Sequence, residues 1–459
     1  MLAGSGVSMT SCRAREGSGR RLVVVGAGLA GSEAAWQAAR RGAEVLLYEM
    51  RPERRSAAHR TGGFAELVCS NSLRADRLAN AVGLLKAEMR LLGSLVLEAA
   101  DASAVPAGRA LAVDREAFSA YVTRAVESHP RIEVRREAVT RIPDGAPLIL
   151  ASGPLTAPEL AADLGALLGE EYLYFYDAIA PTLYGDSIDP GVAFRASRYE
   201  AGEGDYLNLA LSSEEYQAFV AALRAAETVP LHACEAALYF EGCLPVEELA
   251  RRGPETLAYG PMKPVGLADP RTGRRPHAVV QLRREDREGI LWGLVGFQTR
   301  LRVREQERIF RGLPGLAKAV FARFGSVHRN TYVNAPRLLG PTLETRKRPG
   351  LYLAGQMAGV EGYVESAALG FLAGVNAARA LRGQEPVLPD PRTAHGALLH
   401  HLVGGDPRRF QPSNATYGLF PPLEDAPRRL GKREKNERLA RRALAALAPY
   451  VAATRPEPA

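Results

Sequence analysis

The segment from residue 22 to residue 31 limits what this chain can fold into more than any other part of the sequence. An apolar run, Leu22–Val25, leads into three glycines with the spacing G-x-G-x-x-G, at Gly26, Gly28 and Gly31. This spacing is typical of a strand that turns directly into a helix. One glycine forms the turn, one lets the backbone approach a pyrophosphate, and one lets the helix pack on the strand. The segment therefore predicts a dinucleotide-binding turn.

A second apolar run, residues 44–48, follows and ends in Glu49. An acid about 20 residues beyond the glycines stands where a ribose hydroxyl requires an acceptor. Strand, helix, strand and acid occur in the expected order, which favours a complete βαβ unit over a glycine-rich turn of purely structural purpose. The residues predicted to bind the cofactor here are Gly26, Ala27, Gly28, Leu29, Ala30, Gly31 and Glu49.

Composition narrows the class of protein. Residues 1–20 are rich in Gly, Ser and Arg and lack the apolar stretch of a secretory signal, so we expect a disordered leader. No run reaches the ~18 apolar residues of a membrane-spanning helix, and we expect a cytoplasmic protein. The four cysteines, Cys12, Cys69, Cys234 and Cys243, form neither a CxxC pair nor a metal-ligand spacing. We therefore expect neither a disulfide framework nor a metal site.

The chain is basic, with a net charge of +8 and a pI near 9.4. This balance favours a polyanionic partner such as RNA or a membrane surface, although a GC-rich genome produces the same arginine excess. The densest basic segment, residues 428–442, predicts an exposed C-terminal helix. Residues 260–276 mix cations with prolines and glycines, which fits either a basic flap that follows phosphates or an ordinary solvated turn. The flap cations predicted to contact RNA are Lys263, Arg271, Arg274 and Arg275.

The remaining elements suggest a second dinucleotide-binding half. Helical spacing over residues 114–129 predicts a helix capped by Asp114, and strands are expected at 132–134 and 148–153. Residues 350–355 form another apolar strand that leads into a helix of small residues, whose N-terminus can face a cofactor. The residues predicted to bind the cofactor at that end are Gly355, Gly362, Tyr363 and Ser366.

This arrangement resembles the flavoproteins of the glutathione-reductase class, in which FAD lies extended across two dinucleotide-binding halves. The resemblance implies an α/β protein: a glutathione-reductase-like FAD-binding dinucleotide fold with an inserted α+β domain. Gln356 departs from the class, which commonly has an Asp there. The expected domains are the disordered leader (1–20), the first part of the FAD-binding domain (21–175), the insertion or substrate domain (176–325), the second part of the FAD-binding domain with the basic C-terminal helix (326–445), and a tail (446–459).

Two cysteines have neighbouring residues of the kind found at reactive cysteines. Cys69 precedes Ser70 and Asn71, and Cys243 lies in a segment rich in acids. A lone cysteine is more often a small buried hydrophobe, and this alternative stays open for both. Ser70, Asn71 and Arg74 are able to open a helix near Cys69, where the helix dipole and the cation would favour a thiolate.

Five segments together resemble the folate-dependent tRNA uracil-5-methyltransferase family. They are residues 26–31, 64–73, 239–248, 260–267 and 327–332. The resemblance extends from about residue 21 to residue 445. It implies FAD, 5,10-methylenetetrahydrofolate and NADH or NADPH as cofactors, tRNA as the partner, and 5-methyluridine at position 54 of the T loop as the product.

The resemblance also implies roles for individual side chains. Cys243 matches a position proposed as the nucleophile that adds to C6 of uracil, and Cys69 matches a second functional cysteine near the flavin. The chemistry agrees, because C5 of uracil becomes nucleophilic only after such an addition, and a reduced flavin can supply the two electrons that convert methylene to methyl. The base that removes the C5 proton stays open among Glu66, Glu241 and Glu361.

His328, with Asn330 and Tyr332, is expected to stack on the pteridine ring of the folate. A hydrogen-bonded structural histidine is the alternative. Three other functions compete with the methyltransferase. The first is the related flavoprotein that modifies the tRNA wobble uridine, a longer chain with an extended helical C-terminal region. The second is a disulfide oxidoreductase, which would require paired cysteines after the first motif. The third is a non-catalytic, FAD-containing RNA-binding protein. The sequence leaves the oligomeric state open.

Overall fold

The computed structural model describes residues 21–144, 147–169, 173–199, 203–231, 239, 243–424 and 430–456. The strands of this part are β1 (Leu22–Val25), β2 (Val45–Tyr48), β3 (Ser72–Ala75), β4 (Ala104–Val105), β5 (Ala110–Val113), β6 (Ile132–Arg135), β7 (Leu148–Leu150), β8 (Leu173–Ile179), β9 (Thr182–Tyr184), β10 (Phe194–Ala196), β11 (Tyr206–Leu211), β12 (Ala278–Arg284), β13 (Leu291–Leu294), β14 (Phe321–Arg323), β15 (Ser326–Tyr332) and β16 (Leu351–Leu353). The helices are α1 (Leu29–Ala39), α2 (Ala81–Leu91), α3 (Leu95–Ala102), α4 (Arg115–Glu127), α5 (Pro158–Leu168), α6 (Ser213–Ala225), α7 (Val246–Arg252), α8 (Thr256–Tyr259), α9 (Val303–Phe310), α10 (Ala335–Leu338), α11 (Tyr363–Leu381), α12 (Ala394–Gly404) and α13 (Lys432–Ala453).

A five-stranded parallel sheet forms the centre of the dinucleotide-binding half. Its strand order is β16-β7-β1-β2-β6. Strands β7 and β16 are fully buried, which explains why both read as short continuous apolar runs. The strands predicted at both ends of the chain therefore belong to one sheet, and the predicted α/β FAD-binding dinucleotide fold is confirmed.

Helix α11 packs directly on α1 because glycines remove the side chains between them. A Cβ atom on Gly370 would lie 2.2 Å from the carbonyl oxygen of Ala30, and one on Gly374 would lie 2.5 Å from that of Ala34. No side chain fits at either position. This contact joins the first dinucleotide motif to the last helix of the cofactor half.

Helix α4 is the predicted helix with its predicted cap. The carboxylate of Asp114 accepts a hydrogen bond from the backbone N–H of Ala117 at 2.9 Å, which satisfies one free donor of the first turn. Phe118, Val122 and Val126 of its apolar stripe are fully buried, and Tyr121 and Ala125 pack beside them partly buried. The helix therefore forms as its pattern predicts.

The middle of the chain forms a separate antiparallel sheet with the strand order β10-β11-β12-β13-β9-β14. Its strands lie between residues 182 and 323, inside the segment predicted as the insertion. Helices α6 to α9 accompany it, and Phe219, Phe297 and Phe310 pack in its own core. At the two ends of this segment, β8 and β15 pair antiparallel over seven residues each.

The C-terminal helix α13 extends to Ala453, beyond residue 445, where the tail was expected to begin. It continues because Leu447 and Tyr450 are buried against the protein. Its first turns are exposed, as predicted for the basic segment. Arg428 and Arg429 of that segment, like the leader, lie outside the described residues.

Candidate active site

The first glycine motif forms one end of a groove. Gly26 has φ +99°, which favours glycine, and a Cβ on Gly31 would lie 1.7 Å from the carbonyl oxygen of Gly26. Gly28 differs, because its φ is −74° and a Cβ there would meet nothing within 4 Å. The turn thus needs Gly26 and Gly31 for its own shape, while Gly28 keeps open the space in front of the N-terminus of α1. That is where a pyrophosphate would bind.

Glu49 lies in the groove at the end of β2, as predicted. Its carboxylate accepts hydrogen bonds from the backbone N–H of Ala27 and from Nε of Arg51, both at 2.8 Å. Burial opposes ionisation, but the bonds from Arg51 and Ala27 prevail and hold the pKa of Glu49 below its usual range. An ionised acceptor is therefore fixed beside the glycine turn.

The other predicted cofactor residues are distributed around the same groove. Gly26, Gly28, Leu29, Ala30, Glu49, Gly355, Tyr363 and Ser366 line it. Ala27 and Gly31 lie beneath its floor, and Gly362 lines the adjoining cavity. The groove therefore runs from the N-terminus of α1 to the N-terminus of α11, as an extended dinucleotide requires.

A cavity of about 320 Å³ adjoins the α11 end of this groove. Val68, Pro154 and Tyr363 belong to the walls of both. The cavity lies between the dinucleotide-binding half and the inserted sheet, and both Cys69 and Cys243 line it. Two thiols that are far apart in sequence therefore share one site at the end of the groove where a flavin would lie.

The segment around Cys69 is a strand, not the helix suggested by its sequence. The Ser70 and Ser72 hydroxyls accept hydrogen bonds from the N–H groups two residues ahead, and Arg74 has φ +64°. Residues Ser72–Ala75 then form β3. Cys69 itself lies in a bend ahead of this strand, and burial raises the pKa of its thiol. The helix expected near Cys69 is therefore wrong, and the direction of the pKa shift opposes the expected thiolate.

Tyr363 and two arginines fix Cys69 through its backbone. The Tyr363 hydroxyl accepts the N–H of Cys69 at 2.9 Å and that of Ser70 at 3.0 Å. Arg115 and Arg323 donate to the carbonyl oxygen of Cys69 at 3.3 and 3.2 Å. The first residue of α11 therefore positions the segment that carries this thiol.

Cys243 is buried and lies next to Asp177 of strand β8. Its thiol donates a hydrogen bond to the Asp177 carboxylate. Burial, and then the charge of Asp177, raise the pKa of the Cys243 thiol, while burial raises the pKa of Asp177 to about 6. The sequence reasoning missed Asp177. The feature that marks it in the sequence is a single acid within the apolar and aromatic run 173–179.

Glu361 is another carboxyl group that lines the cavity. Burial raises its pKa to about 7, although Arg74 lies 3.6 Å away and Asn414 donates to it at 3.3 Å. The two other acids considered as the base differ from it. Glu66 lies in the groove, where it accepts the N–H groups of Arg60 and Thr61, and Glu241 lies outside the described residues.

The three residues predicted to hold folate occupy different positions along β15. His328 and Asn330 line the cavity, and the Ser326 hydroxyl lies 3.1 Å from Nε2 of His328. Burial lowers the pKa of His328, which favours a neutral ring. Tyr332 is instead buried in the core, where its ring lies 6.1 Å from that of Phe410. Tyr332 supports the strand from below the cavity.

The predicted basic flap is exposed and begins near the cavity. Pro261 packs on Gly296, which lines the cavity. All four flap cations are exposed, and Arg271 also donates to Asp269 at 2.7 Å. The other three are Lys263, Arg274 and Arg275. In the part of the chain that the structure describes, no helix has the length and apolar character needed to cross a membrane.

Comparison with known proteins agrees with this geometry. A family model described as "Glucose inhibited division protein A" matches residues 21–385. A relative from Heliobacterium modesticaldum is 57% identical over 431 residues, which cover 94% of this chain and 98% of the relative. One from Moorella thermoacetica is 58% identical over 424 residues, which cover 92% and 97%. Both are named "Methylenetetrahydrofolate--tRNA-(uracil-5-)-methyltransferase TrmFO".

A solved structure of Aquifex aeolicus GidA has a TM-score of 0.68 at 19% identity and covers 94% of this chain and 76% of that chain. This likeness concerns the fold alone. Fold and groove together define a flavoprotein of the FAD-binding dinucleotide class. The chain belongs to the methylenetetrahydrofolate--tRNA-(uracil-5-)-methyltransferase family, as the identity over nearly the whole of both relatives shows.

Gly28 provides a direct test of where FAD binds. Gly28→Val should fold normally, because an added Cβ meets no protein atom within 4 Å and φ is −74°. It should lose the bound flavin, because the side chain would occupy the space for the pyrophosphate. Flavin absorbance per mole of protein and the thermal unfolding midpoint measure the two effects.

Gly418→Ala serves as the control, since Gly418 is exposed and a Cβ there makes only an ordinary contact at 3.5 Å. It should keep its flavin. A folded Gly28→Val protein with normal flavin content would contradict this placement of the cofactor.

Proposed function

We propose that this chain methylates C5 of uridine 54 in the tRNA T loop to 5-methyluridine, with 5,10-methylenetetrahydrofolate as the one-carbon donor and NADH or NADPH as the source of electrons for FAD. The observation that carries the proposal is the cavity in which the thiols of Cys69 and Cys243 and the carboxyl groups of Asp177 and Glu361 adjoin the flavin end of the groove. The names of relatives 57–58% identical over nearly their full length support it. We place the enzyme in the cytoplasm, where its tRNA substrate is made.

The cavity has the groups that this reaction requires. A sulfur nucleophile must add to C6 so that C5 becomes able to attack the one-carbon unit, and we assign this role to Cys243. Bound FAD supplies, in its reduced form, the two electrons that bring that unit to the methyl level. Cys69 lies at the Tyr363 side of the cavity, and we assign it to the flavin end of the site. Glu361 is our choice for the C5 base, because it lines the cavity and its raised pKa of about 7 suits proton transfer.

The folate donor must lie between the flavin and the uracil. His328 and Asn330 line the cavity on β15 and can contact its pteridine ring. A neutral His328 is suited to stacking, because no charge has to be desolvated. Tyr332 would act only by supporting the strand, since its side chain is buried in the core.

Two alternatives fit the observations less well. A wobble-uridine enzyme of greater length is disfavoured, because uracil-5-methyltransferase relatives align over 97–98% of their own length. A non-catalytic RNA-binding protein would have no use for Asp177 and Glu361, which are half-buried in one cavity at a cost in solvation. Perturbed carboxyl groups clustered in a cleft are typical of catalytic sites.

The assignment of the nucleophile is tested with tRNA that carries 5-fluorouridine at the target position. This base accepts addition at C6 and alkylation at C5 but has no C5 proton to lose, so protein and RNA should remain joined under denaturing conditions. Cys243→Ala should form no such adduct and keep its flavin. Cys69→Ala should still form the adduct through the sulfur of Cys243, and it should turn over more slowly. Peptide mapping of the adduct identifies the residue, and a crosslink to Cys69 would reverse the two assignments.

The basic flap is tested by its dependence on salt. Binding of tRNA should weaken steeply as salt rises, because phosphate contacts release condensed counterions. The double variant Lys263→Ala/Arg274→Ala should bind more weakly at moderate salt and lower the slope of log affinity against log salt by about 2. Arg304→Ala/Arg308→Ala removes the same charge from exposed positions on α9 and is the matched control. Equal affinity of the flap variant and the unmodified enzyme would refute this surface.

A further inference from the structure

Asp177 shares the cavity of Cys243, and its carboxylate has the capacity to accept a proton there. Its carboxylate accepts hydrogen bonds from the Cys243 thiol and from the side chain of Asn330. Its Oδ1 atom is buried and has no hydrogen-bond partner among the described residues. A buried carboxylate oxygen without a partner is costly, and such atoms call for an explanation in terms of function.

The position of Asp177 is fixed by the paired strands β8 and β15. Asp177 lies opposite His328 in the antiparallel register, and Asn330 lies two residues further along β15. All three side chains line the cavity. Because a paired strand is more rigid than a loop, the carboxyl group is held in place rather than meeting the thiol by chance.

The charged and titratable groups around this pair come from several elements. Those that face it or share its cavity are Cys69, Arg74, Arg283, Glu285, His328 and Glu361. Arg74 donates to the buried Glu365 at 3.0 Å, and Arg283 donates to Asn71 Oδ1 at 2.8 Å and to the Ser70 hydroxyl at 2.7 Å, so both cations of this set are engaged with groups other than Asp177. The hydrogen bonds of Asp177 come instead from a thiol and an amide.

The thiol of Cys243 cannot be activated as an ordinary surface cysteine is. Burial and the neighbouring carboxylate both raise its pKa, so very little free thiolate exists at neutral pH. A sulfur that attacks in this environment must lose its proton while its bond to carbon forms. The proton must therefore go to a base already in contact with the sulfur.

We propose that Asp177 is a catalytic residue that accepts the proton of the Cys243 thiol as Cys243 adds to C6 of uracil, an inference that rests on the proposed function. The S–H bond breaks and an O–H bond forms on Asp177. An electron pair of the sulfur forms the S–C6 bond, and the electrons of the C5–C6 double bond move toward C5 and the O4 enolate. When sulfur leaves C6 at the end of the cycle, it takes this proton back. Asn330 is a positioning residue that holds the carboxylate.

The test compares the enzyme with Asp177→Asn in formation of the 5-fluorouridine tRNA adduct, followed over time under single-turnover conditions from pH 6 to pH 9. The amide keeps the size of the side chain and an oxygen that can accept the S–H bond, but it cannot take the proton. Adduct formation should slow by about 100-fold or more at neutral pH, since general base catalysis contributes at least that much.

The pH profiles should differ in shape. The unmodified enzyme needs Asp177 ionised, so its rate should rise through a pKa of about 6 and then level off. The variant reacts only through the small fraction of Cys243 that is ionised. Its residual rate should therefore rise about tenfold per pH unit without a plateau in this range. Glu227→Gln removes one carboxylate from an exposed site of the inserted domain and should leave rate and profile unchanged.

The rate at which iodoacetamide alkylates Cys243, followed on the peptide that contains this residue, should change in the direction opposite to the rate of adduct formation. Removal of the negative charge lowers the pKa of the thiol, so Asp177→Asn should be alkylated faster than the unmodified enzyme at the same pH. Slow adduct formation together with fast alkylation supports a base that moves a proton. Loss of both reactions would show a structural role and overturn the proposal.

The outcomes also separate this inference from the proposed function. If the unmodified, flavin-containing enzyme forms no adduct and no 5-methyluridine, the proposed function fails and the inference fails with it. If the unmodified enzyme forms the adduct and Asp177→Asn forms it at the same rate with the same pH profile, only the role of Asp177 is refuted.

Discussion

The contact between α1 and α11 is the constraint on which the rest of the structure depends. Gly370 and Gly374 bring the two helices together so closely that the N-terminus of each opens onto one groove. The first residue of α11 then contacts the segment that carries Cys69, because the Tyr363 hydroxyl accepts hydrogen bonds from the N–H groups of Cys69 and Ser70. A wider spacing of the helices would displace the flavin end of the groove and the thiol segment together.

Burial gives the cavity its chemical character. In a site with little water, the neutral forms of acids and thiols are favoured, which is why the pKa values of Asp177 and Glu361 rise to about 6 and about 7. Both groups can then exchange protons near neutral pH. Cys243 comes from the inserted segment and Cys69 from the dinucleotide-binding half, so the site exists only where the two meet. Ligand sites are common at such interfaces between two parts of a protein.

Local patterns predicted the elements whose signals are contained in a few neighbouring residues. The glycine turn before α1, the cap of α4 at Asp114 and the buried strands followed from spacing and apolar runs. The segment after Cys69 did not, because serines that bond to nearby N–H groups are found in turns as well as at helix starts. Asp177 and Tyr332 depend on which strands pair and which face is covered, information that no local pattern contains.

In the reaction we propose, the enzyme transfers a one-carbon unit from folate to a uracil in the T loop. The most direct measurement incubates unmodified tRNA with the flavin-containing enzyme, NADPH and methylenetetrahydrofolate labelled in its methylene carbon, and locates the label by nuclease fragmentation and mass spectrometry. Labelled 5-methyluridine is expected at position 54, and its formation should depend on both the donor and the reductant. Label at the wobble position, or none in tRNA that demonstrably binds the folded enzyme, would rule out the proposed reaction.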